Sequence, residues 1–186
     1  MMKELLEQTR SYRRFYNERA LTEQDILALA EAVRLSPSAA NRQRIRIAAV
    51  TDRAECDAVF STLSFAAYLK DWQGPTECER PAAYAVVMSE SELDTNLALD
   101  AGLCIEAMLL TARERGIGGC IFRSFRQQEL TSILGRDGYT PIAVIALGYP
   151  SETVEITSVK DGDIRYYRDE NDHHLVPKLS AEEYLI

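Results

Sequence analysis

Groups for acid–base and nucleophilic work are thinly supplied in this chain. Its only histidines are His173 and His174, and no G-x-S-x-G, H-E-x-x-H or P-loop pattern occurs, which removes the usual signatures of serine hydrolases, zinc hydrolases and P-loop enzymes. The cysteines Cys56, Cys78, Cys104 and Cys120 are scattered, with no C-x-x-C pair. That spacing argues against structural zinc and a disulfide framework, and predicts buried, reduced thiols. No apolar run reaches the roughly 18 residues that span a bilayer. The first ten residues, MMKELLEQTR, carry acids and no apolar stretch of signal-peptide length. The expectation is a cytoplasmic protein without a membrane partner.

Positive charge is also in deficit. Lysine and arginine number 21 against 29 aspartates and glutamates, a net charge of −8. Broad nucleic-acid binding relies on many cationic phosphate contacts and is not expected. Any phosphate must be gripped by a local cluster. Repeats, low-complexity tracts and Pro/Gly-rich linkers are lacking too, so residues 1–186 read as one domain, with 150–186 as a C-terminal extension.

What is present begins with clear periodicity. Ile26, Leu27, Leu29, Ala30, Val33 and Leu35 predict a helix over about 22–35. A short helix and a basic loop precede it; a strand near 45–51 and a helix near 53–63 follow. YLKDWQGPTECERP reads as irregular, and AAYAVVMS as a second buried strand. A long helix is expected over 93–115, then strands near 117–123 and 140–147 with a short helix between. The fold class is α+β: three layers, with helices packed on a small central sheet. From Ala101 to Ala112 the long helix is apolar on nearly every side, interrupted mainly by Glu106. Such a helix is covered all round, either by a partner subunit or as the core helix of a monomer.

Two stretches carry candidate chemistry. TRSYRRF places Arg10, Ser11 and Arg13 together, with Arg14 beside them. Arginine's fork of donors suits phosphate and a serine hydroxyl adds a neutral donor, although alone the cluster reads as a solvated basic turn. SPSAANRQ joins helix to strand with more polar equipment than a connection needs. Ser36 ends the helix, Pro37 biases it out of helical angles, and Ser38 is placed to cap a short turn. Asn41 and Gln43 each offer a donor and an acceptor, which suits a heteroaromatic edge alternating N–H and C=O; local capping is the plainer reading. In the tail, Asp161, Asp163, Asp169, Asp172, His173 and His174 invite a metal reading, but the calcium-loop spacing fails and a solvated acidic turn is expected. Gly116, Gly118 and Gly119 follow a helix and enter a strand, the reverse of a dinucleotide fingerprint; they are expected to end the helix and permit close packing.

Together these motifs resemble the FMN-dependent nitroreductase family. RSYRRF is similar to its R-S-x-R-x-F, SPSAANRQ to its S-P-S-A-x-N-x-Q, and RGIGGCIFRSF with YTPIAVIALGYP to its C-terminal half. The resemblance implies an intertwined homodimer with FMN at the subunit interface, and an extension that wraps the partner. Arg10, Ser11 and Arg13 would hold phosphate and ribityl chain, with Lys178 reaching the phosphate from the tail. Pro37, Ser38 and Ala39 would line the ring from the partner chain, and Asn41 and Gln43 would meet its polar side. A backbone N–H near Arg123 or Ser124 would approach the flavin N5. No side chain is assigned as catalytic and none as a metal ligand, because reduced flavin itself donates hydride. The implied activity is ping-pong transfer from NADH or NADPH to a nitroaromatic, quinone or flavin. A flavin sensor without turnover, reductive dehalogenation or flavin fragmentation on the same scaffold, and a relative without FMN are the alternatives. The chain departs from the pattern at Arg44 and Ile45, where proline and an aromatic residue are common, at the large cation Arg123, and in its short 52–81 region. Arg44 or Arg123 is expected to place positive charge near the ring.

Overall fold

The computed structural model of the chain describes residues 2–65, 68–69 and 71–186. At its centre four strands pair antiparallel in the order β1 (Arg46–Val50), β2 (Ala83–Ser89), β4 (Thr140–Gly148), β3 (Gly118–Phe122). All seven residues of β2 are buried. A strand buried on both faces needs continuous apolar character, which AYAVVMS supplies, and alternation then sends its side chains to two layers. Ala83, Ala85 and Val87 join Ala143, Ile145 and Leu147 of β4 in one cluster. Tyr84, Val86 and Met88 join Val144 and Ala146 in the other. Each fully buried large aliphatic chain contributes roughly 1.5–3 kcal/mol.

Helices cover both clusters. Leu29 and Ala32 of α2 (Glu23–Leu35) and Cys104, Ile105 and Met108 of α4 (Thr95–Glu114) pack on the first. Cys56 and Val59 of α3 (Arg53–Ser61) and Leu130 and Leu134 of α5 (Gln127–Leu134) pack on the second. A short α1 (Met2–Gln8) precedes them. The three-layer expectation holds, with boundaries within about two residues of those read from periodicity. The irregular stretch includes residue 70, which lies outside the described residues; its other residues form no strand, and Glu77–Glu79 make a single turn.

Local chemistry sets the helix ends. Thr22 and Asp25 form a reciprocal capping box on α2, and Ser36 Oγ donates to Ala32 O at 2.8 Å where the helix stops. Asp94 caps α4 by accepting from Leu97 N at 2.7 Å. Gly116, at φ +75°, closes α4, where the Ile117 N–H returns to Ala112 O at 2.9 Å. A Cβ on Gly119 would lie 2.5 Å from Leu109 Cδ2 and 3.2 Å from Ala146 O, so the glycine lets the Leu109 side chain of α4 sit close on the sheet. By length and composition α4 is apolar enough to cross a membrane. One side packs on the sheet and α2, as in a core helix. The opposite stripe, including Leu99 at 63% and Leu103 at 49% exposure, is uncovered in the single chain.

The extension forms a second sheet that the sequence reading lacked. β5 (Val154–Ser158) pairs parallel with β7 (His174–Lys178), and β6 (Tyr167–Arg168) pairs antiparallel with it. Through Lys178 this extension lies on its own chain. Ser151 N donates to Arg14 O at 3.1 Å, Arg14 pairs with Asp172, and Arg168 pairs with Glu152 at 2.6 Å. The basic loop and the acidic tail attract each other within one protomer. Residues 179–186 end exposed.

Candidate functional site

The edge strand β3 and the N-terminal loop form one wall of a cationic cleft. Ser11 pairs with Gly119 in a parallel bridge, and Tyr12 N donates to Gly119 O at 3.0 Å. Gly119 and Ile121, two residues apart, line the cleft with Glu106 and Leu109 of α4. Arg10, Ser11 and Arg13 enter from the loop; His174, Val176 and Lys178 enter from β7. Tyr166 stands beside them. Thus four of the sequence-selected residues, from opposite ends of the chain, meet in one place.

The charge in this cleft is held open. None of Arg10, Arg13 and Lys178 forms an ion pair among the described residues. Arg10 Nη2 donates to Leu6 O at 2.7 Å, while its buried Nε has no partner. The Arg13 guanidinium donates to Ser11 O at 3.2 Å and lies 4.6 Å from the centre of the Tyr166 ring. His174 Nε2 is 3.3 Å from Arg13 Nη1. Burial, then the positive charges of Arg13, Arg168 and Arg14, push the His174 imidazole down to about 4, against a smaller upward pull from Asp172. The ring is therefore neutral at pH 7. Since guanidinium only donates, its Nε2 accepts and its proton sits on Nδ1.

The SPSAANRQ loop lies in a different part of the same chain. Ala40, Asn41 and Gln43 all adopt positive φ, between 48° and 52°. Such backbone is costly for alanine and glutamine and tends to persist where a site over-determines it. Two restraints hold it: Ala39 N donates to Asp100 Oδ1 at 2.9 Å, and Gln43 N donates to Ser38 Oγ at 3.1 Å. Ser38 thus serves the loop through Gln43; it makes no side-chain bond to the short turn that the sequence expected it to cap. Ser38 and Gln43 line a cleft with Cys104, and Pro37 lines an apolar groove with Leu103 and Ala107. Both open beside the exposed stripe of α4, as does the cationic cleft through Glu106 and Leu109. Within one chain the amide loop and the cationic cleft do not share a wall.

The remaining selected residues lie elsewhere. Arg123 and Ser124 leave the end of β3, both exposed; Arg123 lines a separate cleft with Glu90 and Glu92. Arg44 is engaged by both Asp94 oxygens, at 2.7 and 3.1 Å, so its charge is largely spent on that carboxylate. The hydrogen bond from Arg44 leads the causes that hold Asp94 well below the usual carboxylate range. Ile45 is a core residue. The acidic tail has structural work: Asp172 pairs with Arg14 and Arg168, Asp163 with Arg165, and Asp169 accepts from the backbone of Asn171 and His173. Among the described residues no cluster of three or more candidate ligands could hold a metal. His174, Tyr166 and Glu152 were missed as site residues. No pattern in HLVPK marks His174: Leu175 and Val176 are adjacent apolar residues, and burial along the strand does not alternate.

A profile of the nitroreductase family matches residues 6–149, from the end of α1 to the last central strand. The chain belongs to the nitroreductase family. A protein of Archaeoglobus fulgidus, provisionally named NADH dehydrogenase/NAD(P)H nitroreductase, is 28% identical over 162 residues, covering 82% of this chain and 88% of that one. A nitroreductase family protein from Streptococcus pneumoniae TIGR4 has the same fold at a TM-score of 0.68, with 18% identity over 86% of this chain and 95% of that one. An FMN-dependent nitroreductase from Clostridium difficile R20291 aligns at a TM-score of 0.66, also with 18% identity, over 86% and 92% of the two chains. The match ends before β5, so the tail that completes the cationic cleft lies beyond the family profile.

Proposed function

We propose that this nitroreductase-family chain is an FMN-dependent oxidoreductase that takes electrons from NADH or NADPH. It passes them to an electron-poor small molecule such as a nitroaromatic, a quinone or a free flavin. The observation that carries this reading is the set of three cations, Arg10, Arg13 and Lys178, gathered in one cleft where the lining carboxylate, Glu106, forms no ion pair with them among the described residues. A cluster free of ion pairs in a protein of net charge −8 suits one phosphate. The orphaned Arg10 Nε and the restrained left-handed loop both fit a bound FMN. Arg10, Ser11, Arg13 and Lys178 would hold its phosphate and ribityl chain. Pro37, Ser38, Ala39, Asn41 and Gln43 would come from a second subunit, because in one chain they face another cleft. The backbone near Arg123 and Ser124 continues along β3 and would border the ring.

Bound FMN supplies hydride chemistry at its N5. The protein's tasks are to bind, to orient and to shield. Donor and acceptor would use the cleft in turn, giving ping-pong kinetics. Homodimerisation through the exposed stripe of α4 would bring the two motifs together.

The test starts with the visible spectrum of the purified protein and identification of any released chromophore. Replacing Arg10 and Arg13 together with alanine removes two charge-assisted contacts, each worth roughly 1.5–3 kcal/mol. FMN affinity, followed by flavin fluorescence, should fall by roughly 10²–10⁴-fold. Undiminished affinity overturns the phosphate site. Steady NAD(P)H consumption with an added quinone separates an enzyme from a sensor.

A further inference from the structure

Arg13 is held differently from Arg14 and Arg168, the half-buried cations of the tail–loop junction. It is 8% exposed and pairs with no carboxylate. The acids around it are already committed. Glu152 Oε1 accepts the backbone N–H groups of Arg13 and Arg14, and Glu152 Oε2 accepts from Arg168 at 2.6 Å. Asp172 is shared by Arg14 and Arg168, and Glu79 lies against Arg14 at 3.5 Å. What fixes the Arg13 guanidinium is uncharged: the Ser11 carbonyl, the Tyr166 ring and the imidazole of His174, itself fully buried.

A carboxylate in the place of His174 would orient Arg13 as well and bind it more strongly, but would cancel its charge. A neutral imidazole fixes the direction and leaves the charge in place. We propose that His174 is a positioning residue, a neutral acceptor that aims the Arg13 guanidinium and reserves its positive charge for an anionic ligand. This rests on the flavin reading above, under which the anion is the FMN phosphate. Two observations support a role beyond packing. The Nδ1 of His174 is buried without a partner, so the ring is oriented for Arg13 rather than for its own satisfaction. Tyr166 packs against both groups, its centroid 5.2 Å from that of His174 with the two rings tilted by 34°. The charged groups facing the imidazole, Arg13, Arg14 and Arg168 against Asp172, favour its neutral form.

The experiment compares FMN with riboflavin, which lacks the phosphate, in full-length wild-type protein and in His174→Gln, His174→Leu and His174→Glu. Circular dichroism checks folding, and the affinity ratio is taken within each folded variant, so a change in stability cancels. Wild type should prefer FMN. Glutamine, a neutral acceptor, should keep that preference within about threefold, whereas leucine and glutamate should each lower it by about tenfold or more. Leucine removes the acceptor and glutamate discharges the cation, so either folded variant suffices beside glutamine. A merely structural histidine predicts lower melting temperatures with an unchanged ratio, and that result overturns the proposal. Preference lost in folded His174→Gln overturns it too. Equal affinity of wild type for the two flavins overturns the phosphate reading itself, and the assignment falls with it.

Discussion

Cys56, Cys104 and Cys120 are buried, whereas Cys78 is exposed beside Thr76, its sulfur 3.3 Å from the hydroxyl. The expectation of four buried thiols therefore fails at Cys78, which sits in a turn rather than on a packed face. Burial pushes the thiols of Cys56 and Cys120 up to about 11, and that of Cys104 upward as well. Thiolate is the reactive form, so three of the four should be inert at neutral pH. Titration of native protein with an aromatic disulfide reagent should release one equivalent per chain rapidly, and all four after denaturation. Two or more rapid equivalents would contradict the packing of the α3 and α4 faces. At this scale residue type marked Arg10, Ser11 and Arg13 as candidates and the family resemblance added Lys178; that the four line one cleft is what the structure adds. The role of His174 was not legible, because it depends on which face of an unforeseen strand it occupies.

Asp25 joins two helices at the level of elements. It completes the α2 capping box with Thr22 and accepts from Arg115 Nε at 2.6 Å, tying the start of α2 to the end of α4. Burial would raise its pKa; the Thr22 hydrogen bonds and Arg115 more than reverse that, and the carboxyl lies below its ordinary value. A depressed folded-state pKa means that the contribution is complete above the unfolded value of about 3.9 and disappears as pH falls through the lower folded one. Asp25→Asn should cost about 1–3 kcal/mol at pH 7, a drop of several degrees in melting temperature. Melts at successively lower pH should show the gap between the two proteins closing below about pH 4. A gap that is constant with pH would assign the loss to packing alone. Helices and central strands were readable because their apolar periods are strong and their caps are explicit. The β5–β7–β6 sheet was not: its strands are short and half-exposed, and the Arg13 N–H bond to Glu152 and the Arg14–Asp172 ion pair that anchor it join residues 139 and 158 positions apart.

For the whole molecule, the uncovered stripe of α4 is the decisive surface. Leu103 is about half exposed on a helix whose other side is the core. It lines the groove with Pro37, one helical turn from the wall of the cationic cleft at Glu106 and Leu109. If two copies bury this stripe against each other, Leu103→Glu should turn dimer into monomer in sedimentation velocity. It should also release flavin while leaving the circular dichroism spectrum unchanged. A flavin-bound monomer would refute a site built from two chains. The sequence showed both halves of such a site. That they face separate clefts in one protomer emerges only when α4 is placed between them.

Gly119 gives the cleft its calibre. Edge strand and central helix touch there because a hydrogen stands where other residues carry carbon, and the N-terminal loop pairs along the same residue. An added methyl would have to displace the Leu109 side chain and crowd the Ala146 carbonyl, so that both walls take part in the adjustment. A position with no functional group of its own thus helps set how closely the walls of the site can stand.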